Sequence, residues 1–431
     1  MTKRWLSTIW LLLVVMPWQA QALIIEITGG TESALPIAIV PFGGEGFSAP
    51  EDISAVIQND LSRSGRFAPL PAADLISQPH EKSDINFKDW RLLRSEGLLV
   101  GKVSSLDGET YQVQFQLFDV YKGQQLVGKR YQVPASGLRR LAHQISDQVY
   151  QALTGDIGVF STRLAFVSIV NNADGSKKYS LQVSDSDGAN PRTVLQSKQP
   201  ILSPNWASDG ERLAYVSFEN GKAEVFVQEM RSGRRNSVAA FKGLNSAPAW
   251  SPDGKKLALT LSKAGNSEIY ILELASGKLS RVTHNSQAID TEAVWMPNGR
   301  ELLFTSDRGG RPQIYKVSAD GGRAKRITFE GRYNASPDIS SDGRTLAVVH
   351  GLNGKFYIAV QDLDSGAVLV LTETGRDESP SFAPNGRMIL YATEKKGHGE
   401  LAAVSVDGRI HQRLGESGRD VQEPAWSPIR K

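Results

Sequence analysis

The sequence predicts a small α+β domain followed by an all-β, six-bladed β-propeller that is closed by its C-terminal strand. Three observations predict this fold: a strand-then-helix pattern near the N-terminus, a repeat of Asp-Gly and Asn-Gly turns, and incomplete repeats at both ends of the repetitive region. The composition suits folded domains, because 40% of the 431 residues are apolar and 22% are charged.

The first 22 residues have the pattern of an export signal. Lys3 and Arg4 precede an apolar run from Trp5 to Met16, and the small residues Ala20 and Ala22 follow it. This pattern predicts a signal peptide over residues 1–22, cleaved after Ala22. The run is shorter than the roughly 20 apolar residues that cross a bilayer, so we expect no transmembrane segment in the mature chain.

Residues 23–35 are predicted to form a mobile N-terminal tail. An apolar start at residues 23–27 is followed by small polar residues, and the segment is too short to build a core of its own. It could add a strand to a sheet edge, either its own or a partner's. The alternative is an ordinary first strand that packs on the domain that follows.

Residues 36–155 are predicted to form the α+β domain. A capping box from Ser48 to Glu51, with Pro50 as the first helical residue, predicts the start of the first helix. The other elements follow from apolar periodicity: strands at 36–42, 98–104, 113–117 and 125–133, and a helix from Leu138 to Leu153 that ends at Gly155.

Residues 156–431 carry a repeat of about 44 residues. Its Asp-Gly and Asn-Gly glycines are spaced by 44, 45, 44 and 43 residues, at Gly210, Gly254, Gly299, Gly343 and Gly386. Each turn supplies the positive φ of a tight hairpin, and an aromatic residue shortly before it is expected to wedge between adjacent sheets. Four strands per repeat indicate a propeller blade. We assign the aspartates of the repeat to turn geometry rather than to catalysis.

The two ends of the repetitive region complement each other. The aromatic strand occurs six times, the last time at Trp426, whereas the first copy of the second strand, at residues 164–168, has no aromatic strand before it. The C-terminal strand should therefore complete the first blade, which gives six blades and a closed ring without an exposed edge.

Composition and motifs exclude several classes of function. The chain has no cysteine, so thiol nucleophiles, thiolate zinc sites and covalent haem are excluded. A net charge of +3 over the whole chain gives no footprint for nucleic acid. The sequence contains no Gly-x-Ser-x-Gly elbow, P-loop or His-Glu-x-x-His motif, and its six histidines are not expected to converge. We predict no catalytic residues, metal or cofactor; a small-molecule enzyme or carrier that uses the channel is the alternative.

The segment just before each aromatic strand is the predicted binding face. Five residues before the aromatic position, four of the six copies carry Asn or Asp: Asn245, Asp290, Asn334 and Asp377. By symmetry these residues should ring one mouth of the channel, where we expect exposed loops. They could also cap their own turns through side-chain to backbone hydrogen bonds, and the two roles are compatible.

Taken together, the motifs resemble the TolB family of the Gram-negative Tol-Pal system. The resemblance spans the whole chain and rests on the export signal, the strand at 36–42, the helix start at 49–53, the Ser-Asp-Ser-Asp-Gly run at 184–188 and the Ser-Pro-Asp-Gly blades. It implies a non-enzymatic periplasmic scaffold, a monomer, that acts in outer-membrane integrity and in constriction during cell division.

The resemblance also implies partners. The lipoprotein Pal would bind the propeller face, which colicins would share, and the resemblance places Leu244, Asn245, Ala247 and Thr291 in the binding loops. The ring of equivalent positions completes the predicted Pal face with Ser246, Asp290, Glu292, Asn334, Asp377, Glu378 and Gln422. Other outer-membrane proteins would be further partners. The inner-membrane protein TolA would bind the tail, which is released or tucked away according to what occupies the propeller, at Leu23, Ile24, Ile25, Glu26, Ile27 and Thr28.

Overall fold

The N-terminal domain is a mixed sheet covered by helices. A computed structural model describes residues 24–28, 34–44, 49–415 and 419–429; the predicted signal peptide and Leu23 lie outside these ranges. A first strand, β1 (Ile24–Thr28), precedes the domain. The sheet consists of β2 (Leu35–Ile39), β3 (Gly43–Gly44), β4 (Phe67–Pro69), β5 (Gly97–Ser105), β6 (Thr110–Asp119) and β7 (Gln124–Pro134). The helices described are α1 (Ile53–Arg63), α2 (Phe87–Leu92) and α3 (Leu138–Thr154), with short 3-10 turns at Ala72–Asp74, Lys82–Asp84 and Ala135–Gly137.

The domain core forms between one face of the sheet and helices α1 and α3. Ile57 and Leu61 of α1 and Leu141 and Ile145 of α3 are buried there against Phe115 of β6. Their spacing of three or four residues places them on one side of each helix, which is why both helices lie flat on the sheet. No helix among the described residues is both long and apolar enough to cross a bilayer.

The structure tests the predicted start of α1 and the predicted end of α3. Ser48 lies outside the described residues, but the helix start predicted there is wrong, because α1 begins at Ile53 and the carboxylate of Asp52 accepts the N–H of Ala55 at 3.0 Å. Asp52 is itself a strong N-cap residue, and Pro50 precedes the helix instead of opening it. The predicted end of α3 is confirmed, since Gly155 has a left-handed φ of 78°.

Six antiparallel sheets follow, five of four strands and one of five, and the predicted propeller is confirmed. Blade one combines the last strand, β31 (Asp420–Trp426), with β8 (Arg163–Asn171), β9 (Lys177–Asp185) and β10 (Arg192–Ser197). Blade two is β11 (Ile201–Trp206), β12 (Arg212–Ser217), β13 (Glu224–Glu229) and β14 (Arg235–Ala239), and blade three is β15 (Asn245–Trp250), β16 (Lys256–Leu261), β17 (Glu268–Glu273) and β18 (Leu279–Arg281). Blade four is β19 (Asp290–Trp295), β20 (Glu301–Ser306), β21 (Gln313–Ser318) and β22 (Lys325–Arg326). Blade five is β23 (Tyr333–Ile339), β24 (Thr345–Leu352), β25 (Lys355–Asp362) and β26 (Val368–Val370), and blade six is β27 (Glu378–Phe382), β28 (Met388–Lys395), β29 (His398–Ser405) and β30 (His411–Gly415).

The ring closes through β31, as the incomplete repeats predict. β31 pairs antiparallel with β8, with Trp426 opposite Leu164 and Val421 opposite Ser168. The tight turns after the aromatic strands have glycines at φ between 66° and 74°. Two tryptophans bridge adjacent blades, since Trp206 Nε1 donates to the carbonyl of Ala425 at 3.2 Å and Trp295 Nε1 to that of Ala249 at 3.1 Å.

The N-terminal strand lies on the propeller. β1 pairs antiparallel with β30, with Ile24 opposite Gly415 and Thr28 opposite His411, so blade six has five strands. Of the two placements that the sequence left open, the strand added to a sheet edge is the one observed. The alternative, a first strand packed on the N-terminal domain, is wrong.

Candidate functional site

The inner strands of the six blades begin at one mouth of the channel and line its wall. Each strand contains a bulge, for example between Ser246 and Ala249 in β15. At the bulge one residue per blade has a left-handed backbone with φ between 46° and 54°, namely Ser203, Ala247, Glu292, Ser336, Ser379 and Glu423. The bulges therefore repeat around the ring and give it a common geometry.

The Asn and Asp residues of the predicted ring are held by hydrogen bonds and ion pairs within the propeller. Asn245, Asp290, Asn334 and Asp377 are all buried, so the expectation that they lie on exposed loops is wrong. Asn245 holds its own loop, accepting the N–H of Phe241 at 2.9 Å and donating to the carbonyl of Phe241 at 2.7 Å. Asn334 caps its loop in the same way, donating to the carbonyl of Glu330 at 2.8 Å, whereas Asp290 and Asp377 are bonded by side chains.

The two acidic anchors have different local partners, a cation for Asp290 and hydroxyl groups for Asp377. Asp290 forms an ion pair of 2.6 Å with Arg308, and Asp377 accepts the hydroxyl of Thr393 at 2.6 Å. Burial raises the pKa of Asp290, against the opposing effect of Ser306 and Arg308. Placing a lysine at Asp290 would therefore bury one cation against the partly exposed guanidinium of Arg308, and such a variant tests folding rather than binding.

The other predicted residues lie open to the channel mouth. Glu378 is exposed, Leu244 is 39% exposed, and Ser246, Ala247, Thr291, Glu292 and Gln422 are partly exposed. Glu292, Glu378 and Gln422 line a cavity of about 620 Å³ together with Lys177 and Arg376. The mouth thus joins a polar, charged cavity to a rim of accessible side chains.

The sequence reasoning missed an apolar part of this rim. Ile289, Phe329, Leu352 and Phe356 are exposed at the same end of the propeller, with Phe329 at 69%. Tyr333 packs edge-on against Phe356 at 5.1 Å between ring centroids. A signal was available for Ile289, because it directly precedes the Asp position of its blade, just as Leu244 directly precedes Asn245.

The channel wall concentrates negative charge. Burial raises the pKa of Glu423 to about 7, and the nearby carboxylates of Glu378 and Glu292 act in the same direction. Two of these carboxylates accept backbone N–H groups of the next blade: Glu423 from Ser203 at 3.2 Å, and Glu292 from Ser336 at 3.0 Å. Desolvation also raises the pKa of Glu378.

Histidines do not gather in the channel among the described residues. Within the part of the chain that the structure describes, one group of at least three metal-ligating residue types has ligand atoms within 4.8 Å of one another. It consists of Asp60, His143 and Asp187 and lies between the two domains. Arg63 pairs with Asp60 and Arg139 pairs with Asp187, so two guanidinium groups already balance these carboxylates. We assign no metal to this group.

The predicted tail site consists of main-chain groups on the edge of blade six. Ile24–Thr28 pairs with His411–Gly415 in a regular antiparallel register, while Leu23 lies outside the described residues. The strand uses one of its two backbone edges for blade six. Its other edge is unpaired among the described strands, since β1 ends the five-stranded sheet.

Comparisons with known proteins agree over the full length. The family model described as the TolB beta propeller domain matches residues 150–430, and the TolB amino-terminal domain matches residues 23–126. The Tol-Pal system protein TolB of Nitrosococcus oceani is 63% identical and the one of Xanthomonas campestris pv. campestris is 47% identical, each over 99% of this chain and over 99% and 98% of the relative, respectively. The crystal structure of TolB from Acinetobacter baumannii superposes with a TM-score of 0.87 at 41% identity, covering 94% of this chain and all of that one. The chain therefore belongs to the TolB family of Tol-Pal system proteins.

Proposed function

We propose that this protein is a non-enzymatic periplasmic scaffold of the Tol-Pal system that binds Pal at the channel mouth and TolA through its N-terminal segment. In this role it contributes to outer-membrane integrity and to constriction during cell division. Membership of the TolB family supports the system, and the resemblance of the sequence supports the partners. We retain the proposed division into a signal peptide (1–22), a tail (23–35), an α+β domain (36–155) and a propeller (156–431).

The mouth of the channel carries the proposal for Pal. Its exposed apolar side chains, such as Leu244 and Phe356, surround a polar cavity lined by Glu292 and Glu378. Protein interfaces combine apolar anchors with polar groups that fix orientation, and exposed apolar patches with a polar rim mark binding faces. The Asn and Asp anchors contribute by holding the loops that present these groups.

Charge reversal at the mouth tests the binding of Pal. We expect Glu378→Lys to weaken the complex by about 1 kcal/mol or more, because the lysine inverts the charge at the cavity edge. Asp364→Lys is the matched control. Asp364 is an exposed acidic residue of blade five, in the turn between β25 and β26, at the end of the propeller opposite the mouth. Calorimetry with purified Pal measures both. Equal affinity of Glu378→Lys, Asp364→Lys and the wild type would place the Pal site elsewhere.

The pairing of β1 with blade six carries the proposal for TolA. An extended segment can pair with a partner's sheet edge through the same main-chain hydrogen bonds that it makes within its own chain. A partner strand that pairs along the edge now facing β30 must therefore displace β1 from blade six. A ligand of the propeller can bias this exchange only by contacting the docked and released states differently.

Truncation tests the role of the tail. We expect a chain lacking residues 23–33 to lose TolA binding and to keep Pal binding. Its melting midpoint should fall only slightly, because a five-residue edge strand is lost while the four original strands of blade six remain. Full affinity of the truncated protein for TolA would refute this assignment, whereas loss of Pal binding would show that the truncation disturbs the propeller.

A further inference from the structure

A turn of blade one joins the propeller to both long helices of the N-terminal domain. The turn follows β9 and contains Ser186 and Asp187, within the Ser-Asp-Ser-Asp-Gly run that the proposed function does not use. Arg63 of α1 donates to the carbonyl of Ser186 at 3.0 Å and to its hydroxyl at 2.7 Å. Arg139 of α3 forms an ion pair with Asp187. Both long helices of the N-terminal domain therefore contact the propeller at this turn.

His143 of α3 lies at the centre of this junction and is only 2% exposed. Its Nδ1 is 2.7 Å from a carboxylate oxygen of Asp60 in α1, and its Nε2 is 3.7 Å from a carboxylate oxygen of Asp187. Nε2 makes no hydrogen bond to any described residue. A neutral imidazole can donate from one nitrogen only, so an imidazole with a carboxylate on each side is best satisfied when both nitrogens carry protons.

The charged groups around His143 come from every element packed against it. Asp60 and Arg63 belong to α1, Glu51 precedes α1, Arg139 and Asp147 belong to α3, and Asp185 and Asp187 flank Ser186 in the blade-one turn. Burial disfavours the charged form of His143, but the attraction of Asp60 and Asp187 outweighs it and raises the pKa of His143, against a smaller opposing effect of Arg63. Reciprocally, burial raises the pKa of Asp187, and the cations His143, Arg63 and Arg139 together lower it below the usual value.

A proton fits this position better than a metal ion. Nδ1 of His143 is already within hydrogen-bond distance of Asp60, and Arg63 and Arg139 pair with the two carboxylates. A divalent cation would have to be held beside two guanidinium groups, whereas a single proton on the imidazole completes two charge-assisted contacts.

We propose that His143 is a proton-operated latch, in which the imidazolium bridges Asp60 of the N-terminal domain to Asp187 of the propeller and loss of its proton loosens the domain contact. A histidine whose folded pKa is raised stabilises the folded form fully below the unfolded value of about 6.5. That stabilisation is lost as the pH rises through the raised value. The domains are therefore held most firmly in mildly acidic surroundings.

Spin-label distances test the latch directly, because the native chain has no cysteine to interfere. Cysteines replace two exposed lysines, Lys129 in the N-terminal domain and Lys278 in blade three, and carry the labels. We expect a narrow distance distribution at pH 6 that broadens by pH 9 in the otherwise wild-type chain. In His143→Gln, which keeps a polar side chain without the charge, the distribution should be broad at both pH values.

Matched measurements separate the latch from a general loss of stability. His350→Gln removes another buried histidine, one that lies inside the propeller beside Asn334, and should leave the distance distribution as narrow as in the wild type. Should His143→Gln fail to fold, the NMR titration of His143 in the wild-type chain decides, and we expect a pKa above 6.5. A distribution that does not change with pH, a His143 pKa of 6.5 or lower, or displacement of the imidazole proton by added zinc at pH 6 would each overturn the proposal.

Discussion

Six left-handed residues, one in each inner strand, determine how neighbouring blades meet at the channel. None of them is glycine, and a non-glycine residue in this region carries strain of about 1 kcal/mol. The bulge turns the backbone N–H of Ser203 toward Glu423 and that of Ser336 toward Glu292. Each of these hydrogen bonds crosses from one blade to the next, which offsets part of the strain.

Glu423 gives a prediction about pH at the scale of one residue. Its raised pKa, to about 7, means that the folded protein keeps a proton that the unfolded chain releases near 4.5, so stability falls as the pH rises between these values. Glu423→Gln removes the ionisation and keeps an acceptor for the N–H of Ser203. We expect the variant to be more stable than the wild type above pH 7, by on the order of 1–3 kcal/mol.

Chemical denaturation at pH 4 and pH 8 measures this difference. The two proteins should unfold at nearly the same denaturant concentration at pH 4, where the carboxyl group is protonated in both states. A variant no more stable than the wild type at pH 8 would show that the channel solvates the Glu423 carboxylate well.

For single residues of the site, the sequence predicts equivalent positions but not burial. The equivalence of Asn245, Asp290, Asn334 and Asp377 could be read from the repeat, because the turn glycines fix the alignment of the blades. The burial of these four residues could not be predicted from the sequence, because Asn and Asp occur equally well in exposed loops and in buried turn caps. The apolar rim residue Phe329 was missed because the residue that follows the repeated Thr is not apolar in the neighbouring blades, which carry His284 and Glu373 at that position.

At the scale of elements, the last strand supports the whole ring. Deleting residues 423–431 removes most of β31, including Trp426, whose indole N–H donates to Thr162 at 2.8 Å and whose backbone N–H donates to Ser381 at 3.0 Å. We expect a loss of roughly 3–6 kcal/mol in the free energy of unfolding, from the partly buried tryptophan and the lost ladder bonds. An unchanged melting midpoint in the truncated chain would contradict closure by this strand.

The elements differ in how well the sequence predicts them. Closure by β31 can be predicted by counting strands, because the strand that is missing at the start of the repeat region matches the surplus strand at its end. The start of α1 does not follow in the same way, since Ser48 and Asp52 are both good capping residues and only packing on the sheet chooses between them. The place of β1 depends on an edge of blade six that lies almost 390 residues further along the chain, which no local pattern reports.

At the scale of the whole molecule, the linker between the domains is held by α3. Asp147 accepts the backbone N–H of Phe160 at 2.6 Å and that of Ser161 at 3.2 Å. Gly158 passes so close to α3 that an added Cβ would lie 2.3 Å from the Cα of Asp147. The linker therefore fixes one orientation of the two domains only if position 158 has no side chain.

Gly158→Ala should disturb the arrangement of the domains. We expect a loss of about 1–3 kcal/mol in stability, together with faster proteolysis of the linker, because the clash is with backbone atoms that cannot rotate away. Gly137→Ala is the control, since its added Cβ would meet Val133 at an ordinary 3.4 Å. Equal melting midpoints and equal cleavage rates for the two variants would show that the linker is not restrained by α3.

The pairing of β31 with β8 also has a consequence for the order in which the protein is made. The chain is synthesised from its N-terminus, so β8 is complete about 250 residues before its partner exists. Until then blade one has an unpaired inner edge, and blade six likewise lacks β30, the strand that receives β1. Contacts this distant in sequence form slowly. The nascent protein consequently passes through a stage with open sheet edges, in which a helper that shields extended strands would raise the yield of closed rings.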